Sequence, residues 1–291
     1  MFFIKLLSFF PFWILYALCE LTAFLAYYVF RYRRSVVSAN VSRAFPDKTA
    51  KERSRIEVQF YRQFLQVLAE FWKSYSFKKE DWKQRMPITN PELVLSYLER
   101  GIPVVLVSGH TANWEWPAHS VRQQLGYPLE FLYKPVKNRR FDKIMLTLRT
   151  KHGGIAVPKD NAVREIIKRR KQPRLIGIIG DQLPSMGTEK HWLDFLNRET
   201  AFYKGAERIA TMANYAVFYG DTERVSPGRY KLTFRQIAEP PYEKGQEGII
   251  ADYVSKLQAS IHRDPSAYLW SHKRWKYTKK EEETALATSS S

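Results

Sequence analysis

In the segment VVLVSGHTANWEWPAHSV, residues 104–121, a histidine stands directly behind an apolar run. Glu115 follows His110 after four intervening residues. An imidazole titrates near neutrality, and a carboxylate holding its second nitrogen fixes the tautomer and stabilises the charged ring. His110 is therefore a candidate general base and Glu115 its candidate orienting partner. On a regular helix, residues five apart point roughly 140° away from each other. The two side chains meet only if His110 sits in a strand-to-helix turn and Glu115 in the first helical turn. Thr111 or Asn113 is the expected cap of that helix, and Pro117 is tolerated only in its first turn. Backbone N–H groups at such a helix start are expected to face a developing oxyanion. The plainer alternative is a surface histidine at a strand end beside a solvated glutamate.

A base needs something to activate. Ser108 precedes His110 by two, but LVSGH is not the G-x-S-x-G elbow of a serine hydrolase. The single cysteine, Cys19, lies in an apolar N-terminal segment, which excludes an internal disulfide framework and a cysteine-rich metal site. With no protein nucleophile, the simplest use of the base is to deprotonate a hydroxyl or amine on the substrate itself. That is direct acyl transfer; the same dyad acting on water would be a hydrolase. The other histidines (119, 152, 191, 262 and 272) show no metal-binding spacing, so neither a metal nor a cofactor is expected.

Short apolar runs at 103–109, 128–134, 154–158, 174–180 and 215–220 read as buried strands. Helical stretches fall between them at about 113–125, 139–151, 160–171 and 203–213. This alternation predicts an α/β fold with a mostly parallel central sheet flanked by helices. Residues 229–237 alternate as an edge strand, residues 50–76 and 246–263 read as long helices, and the tail 278–291 lacks apolar periodicity and reads as disordered. In a parallel sheet, sites form beyond the carboxyl ends of the strands, where His110 falls.

The first 34 residues set the setting. Residues 2–30 carry only Lys5 and Glu20 as charges and are closed by Arg31, Arg33 and Arg34. About 20 apolar residues suffice to cross a bilayer, and a basic cluster marks the cytoplasmic side. Residues 1–34 read as an N-terminal membrane anchor, either a transmembrane helix or one lying in the interface, with a buried core helix as the third alternative, ahead of a catalytic domain at 35–277. Lys and Arg number 47 against 29 Asp and Glu, a net charge of +18 in 291 residues with mean hydropathy −0.41. Anionic partners suit that field. The basic runs that include Lys137, Arg139, Arg140, Lys168, Arg169, Arg170, Arg274 and Lys276 read either as plain solvated surface or as surface facing phospholipid or an acidic carrier. No zinc-finger, RNP or KH signature points to nucleic acid.

The H-x4-E block in SGHTANWEW resembles that of the late (lauroyl/myristoyl) acyltransferases of lipid A biosynthesis, relatives of the H-x4-D/E glycerolipid acyltransferases. The resemblance covers nearly the whole chain. It runs from the anchor and SANVSRAFPDKTAKER through LYKPVKNRRFDKIMLTLRTKHGG, IIGDQLPSMG and WLDFLNRETAFYKGAERIA to PSAYLWSHKRWK. It implies a glycerolipid-acyltransferase-like fold and transfer of a fatty acyl group from acyl carrier protein thioester to a hydroxyl of a lipid A precursor. His110 is then the base and Glu115 its partner, with Arg149, Asp181, Lys134 and Asn113 on the substrate. Lys134 stands where the family often has arginine, which removes a bidentate phosphate fork. Acidic carrier protein, an anionic lipid acceptor and the inner (cytoplasmic) membrane, with the catalytic domain facing the cytoplasm, are the implied partners and location. The alternatives are an acyltransferase acting on an aminolipid or glycolipid, and a non-catalytic basic protein binding membrane or nucleic acid.

Overall fold

The structure, a computed structural model, describes residues 2–158 and 162–289. Its strands are β1 (Val104–Ser108), β2 (Leu129–Tyr133), β3 (Gly154–Pro158), β4 (Leu175–Ile179), β5 (Lys190–Asp194), β6 (Glu199–Tyr203), β7 (Ala216–Ser226) and β8 (Arg229–Ala238). Six of them form one sheet in the order β3-β2-β4-β1-β7-β8. All are parallel except β8, which returns antiparallel to β7 as the edge. The helices α1 (Phe2–Phe9), α2 (Phe12–Phe24), α3 (Arg34–Ala44), α4 (Ala50–Lys73), α5 (Lys79–Arg85), α6 (Pro91–Glu99), α7 (Trp116–Leu125), α8 (Arg139–Thr150), α9 (Ala162–Lys168), α10 (Gly205–Ala213), α11 (Ile249–Arg263) and α12 (Lys279–Ser289) surround it. The mixed α/β architecture with a mostly parallel sheet is the one the alternating pattern predicts.

Strand β1 shows why its sequence has no polar alternation: helices cover both of its faces. Val105 and Val107 pack into one apolar cluster with Tyr253, Leu257 and Phe60, while Val104 and Leu106 pack into a second with Trp82, Trp116 and Tyr97. Helix α4 begins in a capping box. The Thr49 N–H donates to Glu52 Oε2 at 2.8 Å and the Glu52 N–H to Thr49 Oγ1 at 3.3 Å. Its buried Ile56, Phe60, Val67 and Phe71 follow the helical repeat, and the outer flank of the same helix receives α2.

Three features depart from the sequence reading. β5 and β6 form a separate antiparallel hairpin; its strands mix charged and aromatic residues without a clean period. Residues 279–289, expected to be disordered, form α12. Its Glu282 accepts from Lys190 and, at 2.8 Å, from the Gly187 N–H. Of the helix expected over 160–171, residues 160 and 161 lie outside the described residues, and Ala162–Lys168 is helical.

Candidate active site

Strands β1 and β4 lie side by side, with Ser108 opposite Ile179. Each then runs through a glycine into an ionisable residue: Gly109–His110 on one strand, Gly180–Asp181 on the other. The matched register brings together two side chains 71 residues apart. His110 Nδ1 is 2.6 Å from Asp181 Oδ1, and the His110 backbone N–H donates to Asp181 Oδ2 at 3.0 Å. The glycines are needed because α11 presses on this edge. A Cβ on Gly109 would stand 2.4 Å from Leu257 Cδ1, and one on Gly180 would stand 3.1 Å from the Tyr253 ring.

Asp181 is nearly sealed from water, whereas the His110 side chain keeps 14% of its surface. Burial alone would drive the imidazole toward its neutral form. The Asp181 charge and hydrogen bond, with Glu115 behind them, outweigh it and raise the proton affinity above the ordinary histidine range. Burial would likewise raise Asp181, but the adjoining His110 and the cationic Arg274 hold its carboxyl below the usual carboxylate range. An ionised carboxylate only accepts, so Nδ1 carries the proton of the neutral ring. Among the described residues no hydrogen bond occupies Nε2, which is left as the basic nitrogen.

Glu115 does not make the expected hydrogen bond to His110. Its two oxygens are taken by Arg149, from Nε at 2.9 Å and from Nη2 at 2.6 Å. Helix α8 delivers Arg149 in its last turn, and a planar guanidinium matches a carboxylate better than an imidazole edge can. Glu115 reaches His110 only through its charge. The expected strand-to-helix turn is present: Ala112 adopts φ 49°, and the Asn113 side-chain oxygen accepts from the N–H groups of Glu115 and Trp116 at 3.3 and 3.1 Å. Pro117 sits in the first turn of α7. The Trp114 and His110 rings meet edge-to-face, centres 5.6 Å apart, and the Trp114 ring stacks on Phe64 of α4.

A model of the bacterial lipid A biosynthesis acyltransferase family matches residues 1–277. The chain belongs to that family. The protein is thus an acyltransferase, which sets aside the non-catalytic basic-protein reading. A search of curated proteins finds no match.

In this acyltransferase Lys134 is exposed directly after β2, so Lys134, Asp181 and His110 follow three adjacent strands at one edge of the sheet. Asn113, expected to touch substrate, is fully buried; its amide donates to Glu70 Oε2 at 2.8 Å and its oxygen caps α7. Its polar atoms are spent on the fold. The backbone amides foreseen as an oxyanion site are partly spent too: that of His110 on Asp181, that of Ala112 on the Ala267 carbonyl at 2.9 Å, and those of Glu115 and Trp116 on Asn113.

Residues that sequence reasoning did not connect to the site hold it together. The Leu269 N–H donates to the His110 carbonyl at 3.1 Å, and Thr111 bridges Tyr268. Asn40 of α3 clamps this returning segment by donating to the carbonyls of Trp270 and His272, both at 2.8 Å. Arg274, read as part of a basic surface run, is 1% exposed and lies over the Phe202 ring at 4.5 Å. It supplies buried positive charge beneath Asp181.

Proposed function

We propose that the protein transfers a fatty acyl group from an acyl carrier protein thioester to a hydroxyl of a lipid A precursor, with His110 as general base. His110 Nε2 takes the hydroxyl proton while the acceptor oxygen attacks the thioester carbonyl. The tetrahedral intermediate collapses, the carbon–sulfur bond breaks, and the imidazolium returns its proton to the departing thiolate. Asp181 holds the ring through Nδ1–H and stabilises the imidazolium. Glu115 adds negative charge and fixes Arg149, whose Nη1 is uncommitted among the described residues and suits an anionic oxygen on the intermediate or on a lipid phosphate. Lys134, at the same edge, suits a second phosphate. The single observation that carries this reading is the two-point clamp of Asp181 on the ring and backbone of His110.

The net charge of +18 suits an acidic carrier and an anionic acceptor. The same chemistry would serve an aminolipid or glycolipid acceptor. We place the enzyme at the inner membrane, its catalytic domain toward the cytoplasm. The test uses purified protein, acyl carrier thioester and lipid A precursor in mixed micelles, with products read by mass spectrometry. His110→Ala is expected to lower turnover by about 10²–10⁴-fold. Full transfer by a folded His110→Ala protein would end the reading. Acylation of an aminolipid or glycolipid in preference to the lipid A precursor would reassign the acceptor.

A further inference from the structure

Phe12–Val29 is long and apolar enough to cross a bilayer, 18 residues of mean hydropathy 1.6, and only 22% of it is buried. A buried core helix or a signal sequence would pass the same test, so composition does not decide how it sits. Its attachments do. α2 and the π-helical turn that continues it, Leu25–Val29, lie antiparallel along α4 for their whole length. Tyr16 donates to Glu70 Oε1 at 2.9 Å, Cys19 Sγ to the Leu65 carbonyl at 3.5 Å, and Tyr27 to Glu57 Oε2 at 3.3 Å. Beyond the two ends, the Ser8 carbonyl accepts from Lys73 and Ser76 at 2.6 and 2.8 Å, and Arg33 donates to the Ser271 carbonyl at 2.9 Å.

Eighteen helical residues rise about 27 Å, nearly the ~30 Å of a hydrocarbon core. If the helix stood upright, α4 would cross beside it, together with the β7–β8 hairpin that touches it at Gly228. The centre of the segment would also carry an ion pair through the middle of the lipid. Glu20 bonds Arg62 at 3.0 Å, and both side chains are about half exposed, 46% and 48%. In hydrocarbon such a pair is costly; at the water-facing rim of an interface it is not.

The helix has a buried and an exposed side, with the polar Glu20 and Thr22 exposed at the two margins of the outer arc. Leu15, Cys19, Ala23 and Tyr27, spaced by four, face the protein. Trp13, Leu18, Leu21, Phe24 and Tyr28 form the exposed arc, with Trp13 71% exposed. Arg31 and Arg33 follow at the end, suited to lipid phosphates. We propose that Phe12–Val29 lies in the plane of an anionic bilayer, outer arc among the upper acyl chains, and does not cross it. The proposal rests on the membrane-lipid acyltransferase reading only for the presence of a bilayer.

The experiment uses the full chain in a Cys19→Ser background, with nitroxide spin labels on single cysteines replacing Trp13, Ala17, Leu21, Phe24 or Tyr28. The protein is bound to vesicles of phosphatidylethanolamine and phosphatidylglycerol, and oxygen against nickel-chelate relaxation reports depth. These side chains point outward; Phe24 and Tyr28 pack on each other, and Tyr28 meets buried Tyr27 edge-on at 4.7 Å. The expected result is one shallow depth, roughly 5–10 Å below the headgroups, for all five labels. A profile that deepens from residue 13 to residue 21 and rises again at residue 28 would overturn the proposal, and so would labels left in water. Acyl transfer assayed in the same vesicles separates the two ideas: either geometry is compatible with turnover, so loss of turnover at normal depth would count against the function and leave the orientation standing.

Discussion

Among the buried carboxylates of this molecule, Asp181 and Glu70 have proton affinities that move in opposite directions. Asp181, at the strand ends, is 3% exposed; Glu70, in the seam between α4, α2 and the β7–β8 turn, is 0% exposed. Both are satisfied several times over. Glu70 accepts from Tyr16 at 2.9 Å, Tyr230 at 2.6 Å, Asn113 at 2.8 Å and the Gly228 N–H at 2.9 Å. Burial pushes Glu70 upward, and four neutral donors, with Arg224 farther off, do not bring it back. Asp181 suffers the same burial but faces His110 and Arg274, and is held down. Burial sets the cost of the charge, and the charge of the partner sets the sign. One seat is therefore built to stay ionised beside an imidazole, the other to tie three elements together.

The sharpest way to break this contrast is Asp181→Asn, which keeps the shape and removes the charge. It is expected to lower kcat/KM by about 10³–10⁴-fold. Only the neutral imidazole accepts a proton, so the wild-type rate should fall as pH drops through the raised His110 value, above the ordinary ~6.5. In the variant burial still pulls downward while the main upward influence is gone, so the acid limb moves to lower pH. A rate–pH profile with an unmoved limb would show that Asp181 does not act on His110.

Glu70→Ala comes next, with an expected loss of about 3–5 kcal/mol in urea unfolding, since it strands four buried donors. Glu70→Gln tests the sign. The folded state holds the Glu70 proton more tightly than the unfolded chain, so wild-type stability should decline as pH rises from ~4.3 through the raised folded value. The glutamine variant should lack that decline. Arg149→Lys is expected to cost about 10–100-fold in kcat/KM, because an ammonium cannot span both Glu115 oxygens; a change confined to KM would assign Arg149 to binding alone. The smallest effect is Tyr16→Phe, about 1 kcal/mol in stability with kcat unchanged. A fall in kcat well beyond the stability loss would make the seam part of the catalytic apparatus.

The sheet was readable because its strands are buried on both faces and therefore run apolar without interruption, ending at Gly109 and Gly180. His110 could be placed for the same reason. Its partner could not, since local spacing favoured Glu115 and the register of β1 against β4 is a tertiary fact. A signal existed: VVLVSGH and LIGIIGD share the form of apolar run, glycine, ionisable residue, and adjacent parallel strands would align them. Asn113 was legible as a cap, but the substrate role also expected of it is not what its atoms serve, since its amide is taken by Glu70. Arg274 was misread because a charged cluster in sequence says nothing about which member turns inward. Asn40, Tyr268 and Leu269 carry no local mark of their role; they matter through where distant segments return.

That return has a consequence for how the enzyme comes into being. His110 leaves the ribosome some 160 residues ahead of Leu269, whose N–H its carbonyl awaits. The nascent chain can bring its greasy first helix and its sheet to the lipid before the segment that shapes the histidine loop has been synthesised. With His110 as the proposed base, competence would arrive late in translation, and a chain cut short before Ala267 would lack the backbone bonds that shape its loop.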